Sequence, residues 1–307
     1  MEKKIVIPSI KEFLELSNLD VAKIVQDKKQ TTCVFPFNGT RRWFVLEHAD
    51  KLKKNFIENY VEETTKAYVN TYKLLFEHGI ENVVAPVFGS EILNRGEEYM
   101  EQIGVQMALL ANHKAFISLY QEFDIQVHFY GDYCQEFQGT KYSYILEQFD
   151  SITRQTSHHK KGNLFYGVFA SDTTESISKI SINHYLKTSK PPTRKEIIEA
   201  YYGKYIEKAS FFIGFEKFSV YDYPMLHWGE ESLYFTVAPS LYITKNQFRH
   251  ILYDHIYLRS AKEPNYSEMS SEDWKILRNF YNTNREVTLG VGEIRNGIWY
   301  SKSNIKE

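Results

Sequence analysis

The sequence predicts an α/β protein: a mostly parallel central sheet flanked by helices. Three observations carry that expectation. Six short runs rich in β-branched and aromatic residues alternate with long amphipathic stretches, and strands joined that way need right-handed crossovers. The 307 residues are 43% hydrophobic, which suits a sizeable core. No internal repeat or low-complexity linker divides them. The whole chain, residues 1–307, therefore reads as one domain with a helical C-terminal extension.

In chain order, the first strand is expected at 31–37 (TTCVFPF), and a helical stretch follows over about 51–78. It ends in Phe76-Glu77-His78-Gly79, with glycine where helices commonly stop. A second strand at 82–88 (NVVAPVF) leads into a helical region over 91–122 that has room for two helices. The third strand is expected at 125–131. Residues 139–162 are polar, end in His158-His159-Lys160-Lys161, and read as a mobile excursion. A fourth strand follows at 163–170.

Asp172 and Glu175 then have capping-box spacing, as do Thr193 and Glu196 after Pro191-Pro192, and Thr244 and Gln247. Strands at 209–215 and 232–238 complete the set. Ligands of such sheets bind beyond the carboxyl ends of the strands. That rule gathers Asn38–Arg42, Gly131-Asp132 and the stretch after Gly214 around one cleft.

Charge narrows the function classes. Lys+Arg is 37 against Asp+Glu 39, without the basic excess of a general nucleic-acid or membrane-surface binder. Cys33 and Cys134 are far apart, which leaves no disulfide framework or cysteine-rich zinc site. No segment approaches the ~20 apolar residues of a membrane span, and the N-terminus lacks a signal-peptide pattern, so a cytoplasmic protein is expected. The 23 Tyr and 21 Phe suit either an ordinary core or a wall around a large apolar ligand.

The most suggestive chemistry lies in VFPFNGTRRWF, residues 34–44. Asn38-Gly39 is a hairpin signal by itself, yet it runs into Arg41-Arg42-Trp43 and a helical pattern. Two guanidiniums and exposed N–H groups between a strand and a helix suit a diphosphate. GxxxxGK[ST], GxGxxG and GxSxG are all missing. His250 and Asp254, at i, i+4 spacing with His255 adjacent, offer two metal ligands without a visible third. Asp132 in FYGDY and Glu230-Glu231 are further carboxylates that could reach the cleft.

Longer strings carry a resemblance. FPFNGTRRWF, LLFEHGIENVV, EEYMEQIGVQMALLAN, GVFASDTTES, KPPTRKEIIEAYYGKY, FFIGFEKFSVYDYP, SLYFTVAPSLYIT and ILYDHIYLR, running in order along the chain, resemble the tuberculosinol synthase (tuberculosinyl adenosine transferase) family. Behind it stands the wider cis-prenyltransferase fold, whose Asp-Gly-Asn-x-Arg-Trp signature is similar to Asn38-Gly39-Thr40-Arg41-Arg42-Trp43.

The resemblance implies ionisation of a bicyclic diterpenyl diphosphate of halimadienyl or kolavenyl type. Capture of the allylic cation by water would give an alcohol, and capture by adenosine a terpenyl nucleoside. It implies that Gly39, Thr40, Arg41 and Arg42 hold the diphosphate and that position 38, Tyr60 and Tyr99 are catalytic. Mg2+ is the candidate cofactor, and a homodimer the expected assembly.

Two departures qualify these implications. The paired arginines of chain-elongating relatives are missing from IGFEKFSVYDYP, and the magnesium-binding glutamate position is Ser232 with Glu231 one step away, so chain elongation is not expected. Asn38 stands where the family has aspartate. Three readings stay open: an enzyme relying on Tyr60 or Tyr99, a form inactivated by an Asp-to-Asn change, or a terpenoid-diphosphate binder without turnover.

Overall fold

The structure, a computed structural model, describes residues 7–51, 55–170, 172–260, 265–302 and 305. Its sheet has strands β1 (Thr32–Val34), β2 (Asn82–Phe88), β3 (Ile125–Tyr130), β4 (Gly162–Val168), β5 (Phe211–Phe215) and β6 (Ser232–Thr236). All pairings are parallel, in the order β3-β4-β2-β1-β5-β6. The six expected strands are the six observed, and the expected fold class holds. β1 is buried along its length and so is β5, as strands covered on both faces should be.

Helices precede and connect the strands. They are α1 (Ile10–Glu15), α2 (Asn18–Asp27), α3 (Thr40–Glu47), α4 (Phe56–Glu77), α5 (Glu97–Asn112) and α6 (Lys114–Glu122), then α7 (Tyr133–Phe137), α8 (Ser143–Thr156), α9 (Thr174–Thr188), α10 (Arg194–Tyr202), α11 (Lys245–Tyr253) and α12 (Ser271–Asn284). Of the helix expected over 51–78, residues 52–54 lie outside the described residues. The region expected over 91–122 is a short 3-10 segment followed by α5 and α6. Thr193 and Glu196 form the expected capping box, and Thr244 accepts from the Gln247 N–H.

Three expectations are corrected. Residues 139–162 are not an excursion, because α8 occupies most of them. Its buried Ile145, Phe149 and Ile152 recur at helical spacing beneath a polar face, and Phe149 stacks on Phe129 of β3 with ring centroids 3.6 Å apart. Asp172 does not cap with Glu175; its carboxylate accepts from the Thr174 N–H at 2.9 Å, and the helix begins one residue later than that spacing requires.

The C-terminal extension is not wholly helical either. After α12, β7 (Gly292–Arg295) and β8 (Ile298–Ser301) form an antiparallel hairpin. Its Asn296-Gly297 turn has φ of 51° and 77°, the two left-handed residues of a tight hairpin turn. Asn38-Gly39 uses only one, Gly39 at φ 73°, and the chain passes into α3 instead, with the Trp43 N–H on the Gly39 carbonyl.

The chain order places the cleft. From β1 the chain crosses to β2 on one side, and only after β4 does it return to β5 on the other, so strand order reverses beside β1. The N-terminal helices are tied to this frame by Arg249 of α11, which is 2% exposed. It donates to the carbonyls of Leu14 and Leu16, to Asn18 Oδ1 and to His78 Nε2 at 2.6 to 3.1 Å. Arg249→Met removes four buried donor–acceptor contacts at once. We expect it to cost on the order of 3 kcal/mol, read as a lower urea midpoint with an unchanged slope.

Burial lowers the pKa of His78 from 6.5 to about 4, and His128 and His255 are lowered likewise, also to about 4. All three are held neutral in the fold and gain protons more readily when unfolded. Their contribution is complete above pH 6.5 and is lost as pH falls toward 4. Urea midpoints should therefore fall progressively from about pH 6.5 to about pH 4, and less steeply in His255→Gln.

Candidate active site

A cleft of about 650 Å³ opens at the carboxyl ends of β1, β2 and β5. Asn38, Gly39 and Arg42 come to it from the turn after β1, Glu91 from the turn after β2, and Glu216, Lys217, Tyr221 and Asp222 from the loop after β5. The turn is pinned from below. The Asn38 N–H donates to Ser240 Oγ at 3.0 Å, the Asn38 carbonyl accepts the Ser240 N–H at 3.1 Å, and Ser240 Oγ donates to the Pro36 carbonyl. Gly39 is held against Phe215 and Pro239.

Just beyond Gly39, the first N–H groups of α3 have no helical acceptor, so the helix start faces the cleft with partial positive charge. Arg42 lies over the Phe215 ring, with Cζ 5.3 Å from its centroid, and its Nη1 donates to Glu216 at 3.0 Å. The pair is partly solvated, so its worth is orientation more than energy. Arg41 does not share this placement: it is exposed, and its charge acts on the Tyr60 phenol.

Thr40 and Tyr60 are hydrogen-bonded through their hydroxyls at 2.9 Å. Burial raises the Tyr60 pKa, opposed by the Thr40 hydrogen bond and by Arg41, so the phenol stays neutral near pH 7. Tyr99, at the start of α5, is within electrostatic reach of Tyr60. Arg95 lies over its ring at 5.2 Å and donates to its hydroxyl at 3.3 Å. Beside Tyr60 lies a small pocket of about 40 Å³, walled on its apolar side by Tyr68, Val87, Phe88, Leu109, Leu110 and Phe116 and on its polar side by Thr64, Thr65 and Gln106. Val87 lines both the pocket and the cleft, so the two adjoin.

The structure thus brings Asn38, Gly39 and Arg42 to the cleft and joins Thr40 to Tyr60, with Arg41 and Tyr99 beside that phenol. Other candidates go elsewhere. Asp132 accepts from Ser176 and does not line the cleft. Glu230 pairs with Lys208, while Glu231 accepts from the Tyr223 hydroxyl and the Trp228 N–H. His250 bonds to the Asn246 carbonyl, and Asp254 takes the Tyr234 hydroxyl and Arg259, so neither is set for a metal. No cluster of three or more metal-ligating side chains occurs among the described residues.

The implied Mg2+ site fits poorly at the matching positions. The Asn38 amide donates to the Tyr221 hydroxyl. Ser232 sits at the opposite end of the sheet, with its Oγ on His255 Nδ1.

Sequence reasoning missed Tyr221, Asp222, Glu91 and Glu216. Asp222 lies within the stretch after Gly214 that the strand-end rule points to, but nothing local distinguishes it from a turn aspartate. Its pKa rises to about 6, from burial first and then from Glu91.

A Cβ at Gly39 would lie 2.8 Å from Phe215 Cε1 and 3.0 Å from the Pro239 Cβ, on a backbone few side chains adopt. Gly39→Ala should cost about 1–2 kcal/mol of stability through the left-handed backbone. By displacing the helix start, it should also weaken inorganic pyrophosphate binding about tenfold, as measured by calorimetry.

No family model matches the sequence. Two characterised proteins do, nearly end to end. Tuberculosinyl adenosine transferase of Mycobacterium tuberculosis is 44% identical over 296 residues, 96% of this chain and 98% of that protein. (+)-Kolavelool synthase of Herpetosiphon aurantiacus is 26% identical over 299 residues, 96% of each. Among solved structures, lavandulyl diphosphate synthase of Lavandula x intermedia superposes with a TM-score of 0.58 at 10% identity, over 78% of this chain and 98% of that one. A probable undecaprenyl diphosphate synthase of Campylobacter jejuni gives 0.54, also at 10%, over 76% and 98%. These two show the fold, that of the cis-prenyltransferases, and the 44% identity along nearly the whole chain shows the family: the protein belongs to the same family as tuberculosinyl adenosine transferase.

Proposed function

We propose that the protein ionises a bicyclic diterpenyl diphosphate of halimadienyl or kolavenyl type and passes the allylic cation to water or to adenosine. The observation that carries this reading is the junction at Val87. A cleft bearing Arg42 and the start of α3 shares that residue with a small, largely aromatic and aliphatic pocket beside Tyr60. A diphosphate needs the first and a terpenyl chain the second.

Breaking the C–O bond leaves its electron pair on the diphosphate and positive charge on the allyl group. Donors already fixed in place stabilise the developing anion without reorganising. Arg42, aligned by Glu216, and the free N–H groups of α3 are such donors, and Arg41 adds charge from the rim. A neutral Tyr60 phenol, positioned by Thr40, can donate to the leaving group. The rings of Tyr60, Tyr68 and Phe116 offer π faces to the cation and keep bulk water away. At about 40 Å³ the pocket must widen to admit a diterpenyl skeleton, which needs several hundred Å³.

The second reading, a binder without turnover, is favoured by one observation. Asn38 offers a neutral carboxamide where the family has a carboxylate, and that amide is engaged by Tyr221.

The test incubates the protein with halimadienyl, kolavenyl and geranylgeranyl diphosphates, with and without adenosine, and follows products by mass spectrometry. We expect turnover of a bicyclic substrate, and a loss of kcat/KM in Arg42→Ala of about 10²–10³. Binding without turnover in both the wild type and Asn38→Asp supports the second reading. Diphosphate release only on addition of isopentenyl diphosphate would sink both.

A further inference from the structure

The loop after β5 carries a group that the reaction above does not use. Asp222 is half-buried, lines the cleft and adopts a left-handed backbone with φ 58°. The Tyr130 hydroxyl holds it in place by donating to its backbone carbonyl at 2.7 Å. Its carboxylate accepts no hydrogen bond and forms no ion pair among the described residues, although Arg42 and Lys217 line the same cleft. Turn aspartates ordinarily spend their carboxylate on a nearby N–H; this one lines the cleft without doing so. Next to it in sequence, Tyr221 takes up the Asn38 amide.

We propose that Asp222 is the proton acceptor for water capture of the terpenyl cation, supplying from the loop after β5 the carboxylate that position 38 lacks. The inference rests on the proposed ionising activity and deepens it. In the step, a lone pair on water forms the C–O bond to the allylic carbon. One O–H bond breaks, its electron pair stays on oxygen as the alcohol, and its proton passes to an Asp222 carboxylate oxygen. Capture by a pyridine-type nitrogen of adenosine differs: the nitrogen lone pair forms the C–N bond, no proton leaves, and the base has no part to play. Asp222 therefore bears on the choice between the two products.

The surroundings suit a base that works near neutral pH. Burial and the facing Glu91 raise the pKa of Asp222 to about 6, so its basic form prevails above that value and is lost below it. The other titratable groups facing it are the phenols of Tyr221, of Tyr130 on β3, and of Tyr201 and Tyr202 on α10. Burial raises all four, so they stay neutral while Asp222 titrates.

The experiment supplies adenosine together with the bicyclic diphosphate and measures alcohol, adenosine conjugate and total diphosphate release between about pH 5 and pH 8. It uses wild type, Asp222→Asn and Asp222→Glu. A diphosphate bound nearby raises the Asp222 pKa further, so we expect wild-type alcohol formation to fall as pH drops through about 6 to 7 while conjugate formation does not follow it. In Asp222→Asn the alcohol-to-conjugate ratio should drop at least ~10²-fold and the acid limb disappear, while Asp222→Glu retains that limb.

Equal loss of both products in Asp222→Asn, or an unchanged ratio and acid limb, would overturn the proposal. So would a wild type that forms conjugate but no alcohol at any pH. Should Asp222→Asn fail to fold, the wild-type and Asp222→Glu profiles decide alone, and no acid limb in either overturns it. No diphosphate release by the wild type defeats the ionising activity itself, and the inference with it.

Discussion

The site depends on one constraint: the chain must leave β1 and enter α3 through a single left-handed residue. Gly39 makes that turn at φ 73°, pressed between Phe215 of β5 and Pro239 after β6. Ser240 then clamps the residue before it on both backbone polar groups. The first N–H groups of α3, Arg42 and Asn38 all take their direction from this turn. Three separate parts of the chain meet there, so a change at Pro239 or Ser240 reaches the cleft without touching a ligand.

Legibility in the sequence followed the range of the interactions. The six strands were readable because short apolar runs rich in β-branched and aromatic residues, bounded by turn residues, report strands buried on both faces. The helix α8 was not, since SYILEQFDSITRQT hides three buried apolar residues among polar ones and its composition reads as loop. Two Asn-Gly pairs show the limit of a local rule. Asn296-Gly297 makes the hairpin that the dipeptide predicts, and Asn38-Gly39 does not, because Ser240, more than two hundred residues away in sequence, holds the latter.

The same reasoning explains the site. Arg41 and Arg42 were legible as a strand-to-helix anion motif, and Gly39, Thr40, Tyr60 and Tyr99 gained roles only through family resemblance. Glu216 and Tyr221 are placed by hydrogen bonds to Arg42 and Asn38, and Asp222 feels the charge of Glu91, all between distant segments that no spacing rule registers. Conversely, Asp132 sits at the right end of its strand and still faces Ser176. The strand-end rule gives the side of the sheet, while the side chain's direction depends on packing that only the structure contains.

Charge in the cleft is the last constraint, and it links binding to chemistry. Arg42 and Lys217 face Glu91, Glu216 and Asp222, so the lining itself is not strongly cationic. Glu216 is committed to Arg42, which leaves Asp222 and Glu91 as the carboxylates nearest an arriving anion. A diphosphate entering this cleft disfavours ionised Asp222 by like-charge repulsion, adding to burial and to Glu91. The bound anion therefore makes this carboxylate a stronger base than it is in the empty cleft. An aspartate at position 38 would stand next to the α3 start, where partial positive charge lowers basicity. A carboxylate at Asp222 instead keeps a proton affinity raised by burial and by Glu91, and in the proposed reaction a bound diphosphate would raise it further.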